Sequence, residues 1–194
     1  MRIGIDIDDT IAKTNKKLIE EALRYDKEHV RGRGLKNKNA YSFMEMFYWT
    51  VLDLDGFMKE VRSGKFFSSL EPVEGAVLNI NKLYQEGHQI IFITRRQKDL
   101  KTMLKTKKWL KNMGFRYHKL ILGGEHKDEI CSNYQIDIFI DNDVKNVIEV
   151  SSEGILCVLK GTEFNRDEKD FRRIESWDDI YDYIKEVNSN GQNS

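Results

Sequence analysis

Three carboxylates, Asp6, Asp8 and Asp9, fall within four residues of the segment MRIGIDIDDTIAKT, at the end of an apolar run. Like charges this close disfavour one another. The acids therefore either fan into solvent as an ordinary turn or share something positive, such as a metal ion. Three further polar groups sit behind apolar runs in the same way. Thr94, Arg95 and Arg96 end QIIFIT and follow it, Lys127 lies in GGEHKDE a few residues beyond KLIL, and Asp141, Asn142 and Asp143 end IDIFID and follow it. Each group alone is commonplace. Brought to one edge, they would join nucleophile-capable acids, a hydroxyl, a lysine and further acids in a single site.

Whether they meet depends on the elements that carry them. Five runs read as strands: RIGIDI (2–7), QIIFIT (89–94), KLIL (119–122), IDIFID (136–141) and ILCVLK (155–160). Several are nearly continuous in Ile, Val, Leu and Phe, as expected of strands buried on both faces of a parallel sheet. Between them, Ala76, Ile80, Leu83 and Tyr84 repeat at helical spacing and stop at Gly87. Leu100, Met103, Leu104, Leu110 and Met113 do the same before Gly114. A last helix over about 177–187 uses Trp177, Ile180, Tyr181 and Ile184. The alternation predicts an α/β fold with a doubly wound parallel sheet. In such a sheet ligands bind beyond the carboxyl ends of the strands, which is where all four groups fall.

One region breaks the pattern. From Lys13 to Pro72 there is no convincing strand; instead Leu18, Ile19, Ala22, Leu23 and Val30 suggest an amphipathic helix. The basic stretch RGRGLKNKN, an aromatic cluster YSFMEMFYW and a second helical pattern over about 53–63 follow. The region is too long for a crossover and too apolar for a disordered loop. It reads as a small helical cap, 15–70, inserted after the first strand, with the core at 1–14 and 71–188. The end of the chain, 189–194, reads as a disordered tail. Phe43, Phe47 and Trp49 are either cap core or, where exposed, a surface on which a base could stack. Arg31, Arg33, Lys36 and Lys38 read as a solvated loop. DLDG at 53–56 repeats the two-acid spacing but has no Thr four positions after its first acid, so Asp53 and Asp55 read as acids at a helix entry.

Composition narrows the function classes. The 194 residues suit one domain with an insertion, and Lys+Arg and Asp+Glu balance at 32 each. That balance argues against wholesale attraction to nucleic acid or membrane and leaves a small anionic partner open. Cys131 and Cys157 provide no disulfide framework. No run approaches a transmembrane length and no signal-peptide region precedes RIGID. The expectation is a cytoplasmic protein with no membrane and no stable nucleic-acid partner. His29, His88, His118 and His126 lack zinc-ligand spacing.

The order DxDxT (Asp6, Asp8, Thr10), strand-end Thr94, helix-start Lys127 and strand-end Asp141 and Asp143 resembles the haloacid dehalogenase superfamily. The resemblance spans residues 1 to about 160, and the position of the cap is most similar to the 5′(3′)-deoxyribonucleotidase branch. It implies phosphoryl transfer with Asp6 as nucleophile and an aspartyl-phosphate intermediate. Asp8 would serve as general acid and base, which favours a phosphatase over a dehalogenase. Thr94 and Lys127 would hold and neutralise the phosphate, and Arg95 and Arg96 could reach the leaving group. Mg²⁺ would lie among Asp6, Asp141 and the backbone carbonyl of Asp8, with Asp143 or Asn142 acting through water. The implied substrate is a small phosphorylated metabolite, a nucleoside monophosphate first. Sugar phosphates or nucleic-acid ends are alternatives. A receiver-like, non-catalytic phosphoacceptor is an alternative of another class.

Overall fold

The computed structural model describes all residues except 31, 39, 41, 64 and 192–194, with Ser63 and Gly191 described by backbone alone. Arg31 of the basic stretch and the last three residues of the expected tail therefore lie outside the described residues. In chain order the elements are β1 (Arg2–Ile5), α1 (Thr14–His29), α2 (Phe43–Met46), α3 (Val51–Ser63), α4 (Ala76–Gln85), β2 (Gln89–Thr94) and α5 (Leu100–Met113). There follow β3 (Lys119–Leu122), α6 (Lys127–Asn133), β4 (Ile138–Asp141), α7 (Val144–Ser152), β5 (Leu156–Lys160), β6 (Arg173–Ile174) and α8 (Trp177–Gly191). The chain divides into two compact units, Met1–Lys13 with Glu71–Ser194, and Thr14–Leu70.

The first unit is built on one parallel sheet in the order β3-β2-β1-β4-β5-β6. The chain winds outward from β1 through β2 to β3, then returns to lay β4 on the other side of β1. The winding direction thus reverses between β1 and β4, the crevice where open α/β sheets bind ligands. Burial explains the unbroken apolar runs: Ile3, Ile5, Ile90, Phe92, Ile138 and Ile140 are inaccessible to solvent. Gly4 lets the neighbours close over β1, because a Cβ there would stand 3.0 Å from Phe139 and 3.2 Å from Ile136. Asp99 caps α5 by accepting from the Thr102 amide at 2.9 Å, and Gly114 ends that helix at φ 84°.

Three local readings change. The first strand ends at Ile5 rather than residue 7, because Asp9 takes a left-handed φ of 63° and folds the chain back. The amides of Ile11 and Ala12 then donate to the Ile7 carbonyl at 3.0 and 2.9 Å. Asp tolerates this conformation, so the third acid of the opening cluster shapes a turn. At the other end, α8 continues through 189–191, where a disordered tail was expected. Extending a formed helix fixes few residues per added bond, and the Ser189 hydroxyl donates back to the Lys185 carbonyl at 2.9 Å. Two-residue β6 is too short to leave a periodic signal. No helix among the described residues is long and apolar enough to cross a membrane.

The second unit leaves and rejoins the first through adjacent strands of chain: the Lys13 amide donates to the Glu71 carbonyl at 2.9 Å, and the Val73 amide to Ile11 at 2.8 Å. Inside the unit the aromatics pack on one another. Phe47 stacks on Trp49 at 4.6 Å between centroids, Phe43 lies 6.1 Å from Trp49, and Phe57 and Tyr25 close the other sides at 5.2 and 5.5 Å. Phe47 and Trp49 are buried and Phe43 is half-buried. The Trp49 indole N–H donates to buried Asp26 at 2.9 Å, whose second oxygen accepts the Gly34 amide at 2.8 Å. Asp53 lies in the first turn of α3 and accepts from both the amide and the hydroxyl of Thr50, and Asp55 pairs with Lys59. Trp49→Phe keeps the ring but removes one donor from the buried Asp26 carboxylate. It should destabilise this unit by about 1.5–3 kcal/mol, read from its urea transition; a shift under about 0.5 kcal/mol would show that water replaces the indole.

Candidate active site

Asp6 follows β1, and its amide donates to the Ile140 carbonyl at 2.9 Å, which ties it beside β4. Asp141 ends β4. Both carboxylates are buried, and the ammonium of Lys127, the first residue of α6, lies between them. Lys127 Nζ donates to Asp6 Oδ1 at 2.5 Å and to Asp141 Oδ2 at 2.7 Å, with 1% of the side chain exposed. Burial opposes the charge of Lys127, but the two carboxylates outweigh it and hold its pKa above the ordinary lysine range. The Asp6 carboxyl moves the other way from a normal ion pair. Burial pushes it up, Lys127 pulls it down, and the negative charges of Asp141 and Asp8 push it up again. Two acids sharing one ammonium leave the cluster short of positive charge.

The expected residues of the first unit gather around this centre, in roles that differ among them. Asp8 is partly exposed and lies against Arg96, which donates from Nη2 to Oδ1 at 2.7 Å and from Nε to Oδ2 at 3.0 Å. Arg96, read from the sequence as one of two arginines that could reach the leaving group, is buried. Thr94 is buried as well, its hydroxyl 3.5 Å from Asp8 Oδ2 and accepting the Arg96 amide at 3.2 Å. Arg95 is the more open of the two arginines, pairing with Asp143 at 3.2 Å and with the Asn146 side-chain carbonyl. Asp143 also caps α7 by accepting the Lys145 amide at 3.0 Å. Phe43, Phe47 and Trp49 belong to the aromatic core of the helical unit described above.

Several supporting residues were not anticipated. Asn146 donates to Asp141 Oδ2 at 2.8 Å while its carbonyl accepts from Arg95, so it joins the buried acids to the outer arginine. The Thr10 hydroxyl donates to the Asn142 side chain at 3.0 Å, and the Trp177 indole donates to the Thr10 carbonyl at 2.9 Å. Asn165 donates to the carbonyls of Asn142 and Lys160, both at 2.8 Å. For Asn146 a signal existed: it is a polar residue on the face of α7 that carries buried Val147 and Val150. Nothing local marks Trp177 or Asn165.

The donors suit a hard cation. Among the described residues no three His, Cys, Asp or Glu side chains are grouped to hold a metal by themselves, and the Asp8 and Asp143 carboxylates pair with arginines. Asp6 and Asp141 remain, buried and undercompensated. Mg²⁺ needs only one or two carboxylates when a phosphate and waters complete its shell, so these oxygens fit it.

Lys127 should also carry stability. Lys127→Met leaves two buried carboxylates uncompensated and should lower the unfolding free energy by about 3–5 kcal/mol, measured by urea denaturation. The same change made in Asp6→Asn/Asp141→Asn protein should cost much less. Equal losses in both backgrounds would mean that the aliphatic stem, and not the charge, is what stabilises.

A nucleotidase of Clostridium acetobutylicum is 33% identical over 108 residues, 54% of this chain and 55% of its own. A Chlorobaculum tepidum protein provisionally named a 5′(3′)-deoxyribonucleotidase is 28% identical over 156 residues, 78% of this chain and 68% of its own. Among solved structures, a haloacid dehalogenase family hydrolase from Deinococcus radiodurans, with bound phosphate and sodium, superposes at a TM-score of 0.70 with 10% identity, covering 96% of each chain. A haloacid dehalogenase-like hydrolase from Streptococcus pneumoniae gives 0.68 with 14% identity, over 94% of this chain and 97% of its own. At those identities the structural likeness is one of fold. The family model described as 5′ nucleotidase, deoxy (pyrimidine), cytosolic type C protein matches residues 1–190, and the chain belongs to that family of phosphoric monoester hydrolases on the haloacid dehalogenase fold.

Proposed function

We propose that the chain is a Mg²⁺-dependent nucleotidase that hydrolyses a nucleoside monophosphate through a phosphorylated Asp6. The observation that carries the proposal is the buried Asp6–Lys127–Asp141 group at the β1/β4 crevice, with a second acid, Asp8, two residues from the first and in a different environment. An Asp6 oxygen attacks phosphorus as the bond to the nucleoside oxygen breaks, and Asp8 delivers a proton to that oxygen. Water then attacks the phosphorus of phosphorylated Asp6, Asp8 takes its proton, and the bond to Asp6 breaks to release inorganic phosphate. The Thr94 hydroxyl and the Arg95 amide bind phosphate oxygens, and Lys127 balances their growing charge. Asp6, Asp141 and the Asp8 carbonyl would hold Mg²⁺, which would supply the positive charge that lets a phosphate dianion approach two carboxylates. Membership of a hydrolase family favours turnover over a receiver-like phosphoacceptor.

A panel of phosphate esters assayed with and without Mg²⁺ tests this directly. Nucleoside monophosphates should release phosphate, and metal removal by EDTA should abolish release while leaving the circular dichroism spectrum unchanged. Full turnover after complete chelation would remove the metal from the proposal. Preference for sugar phosphates would remove the nucleotide and keep the phosphatase. Asp6→Asn should eliminate turnover in a folded protein, whereas Asp53→Asn should not. Asp8→Asn should lose about 10² to 10⁴ in rate, most on esters with poor leaving groups.

A further inference from the structure

Both oxygens of Asp8 are held by one guanidinium, through two separate N–H groups at 2.7 and 3.0 Å. A two-point contact of this kind fixes orientation as well as position. The two partners are unequally exposed. The Asp8 side chain is 30% exposed, while that of Arg96 is 2% exposed. Behind the guanidinium stand buried Thr106, whose hydroxyl accepts from Nη1 at 3.3 Å, and buried Trp109, with its ring 5.9 Å from Cζ. The backbone of Arg96 is held too: its amide donates to the Thr94 hydroxyl and its carbonyl accepts the Gly123 amide at 2.8 Å. The arginine is an anchored fork, and the acid is the part that reaches solvent.

We propose that Arg96 is a positioning residue for Asp8: it sets the orientation from which this acid reaches the leaving oxygen and the attacking water, and does not itself grip the substrate. The inference rests on the reading of Asp8 as proton donor given above. Thr94 and Arg96, one at the end of β2 and the other in the bend that follows it, both meet Asp8. The buried guanidinium packs against Thr106 and Trp109 of α5. Lysine could keep the charge but offers a single point of contact.

The consequence is specific to esters that need an acid. Misplacing a catalytic group by about 1 Å can cost about 10²-fold, yet a nitrophenyl leaving group departs with little help from a proton. Steady-state kcat and KM for wild type, Arg96→Met, Arg96→Lys, Asp8→Asn and the double variant Arg96→Met/Asp8→Asn should be compared at saturating Mg²⁺. The substrates are a nucleoside monophosphate and 4-nitrophenyl phosphate. Arg96→Met should lose about tenfold to a hundredfold in kcat on the nucleotide, far less on the aryl ester, with KM little changed on either. Arg96→Lys should recover part of the loss, and adding Arg96→Met to Asp8→Asn should cost almost nothing more. Should Arg96→Met fail to fold, Thr106→Val loosens the same fork, and its smaller loss should show the same leaving-group dependence. Equal losses on both esters, a rise in KM, or losses that multiply with Asp8→Asn would overturn this inference alone. A wild type that hydrolyses neither ester would overturn the nucleotidase reading and this inference with it.

Discussion

Two buried carboxylates, Asp6 and Asp141, face one ammonium at the crevice between β1 and β4, and much of the first unit serves to hold them there. Carboxylates taken out of water resist ionisation unless positive charge is near. One lysine meets only part of that need. The parallel sheet supplies the positions: β1 and β4 are adjacent because the winding reverses between them, and their carboxyl ends bring the acids together. α6 contributes the lysine from its first residue. In the proposed function, that remaining demand for positive charge is what a cation would meet, and with it a phosphate could approach.

Around this centre the hydrogen bonds form two branches. One runs from Asp141 through Asn146 to Arg95 and Asp143, and links the buried pair to a more open arginine. The other runs from Thr10 to Asn142 and on to Asn165, with Trp177 of α8 holding the Thr10 carbonyl. Residues from the last third of the chain thereby brace a loop that begins at residue 6. The segments that lead into and out of the second unit pair with each other at Lys13 and Glu71.

Adjacent residues of one type are put to different uses. Arg95 and Arg96 are neighbours in sequence, yet one pairs at the surface with Asp143 and the other is buried against Asp8. The three opening acids divide likewise: Asp6 joins the lysine, Asp8 the arginine, and Asp9 adopts the left-handed conformation that turns the chain. Charge at these positions is therefore distributed by backbone direction as much as by residue type.

The sequence by itself determined the α/β class, the strands from β1 to β5, and the grouping of Asp6, Asp8, Thr94, Lys127 and Asp141 at one edge. Strands buried on both faces leave continuous apolar runs, and ligand-facing residues follow those runs directly. The insertion was legible because helical spacing and aromatic density replace strands over some fifty residues. Only the tertiary structure decided the partners. That Arg96 turns inward to Asp8, that Asn146 bridges to Arg95, and that Trp49 binds Asp26 depend on which side chains a folded backbone brings within about 3 Å. Contacts such as Trp177 with Thr10 join residues 167 positions apart. No local pattern encodes such a pair, because its energy exists only once the intervening chain has packed.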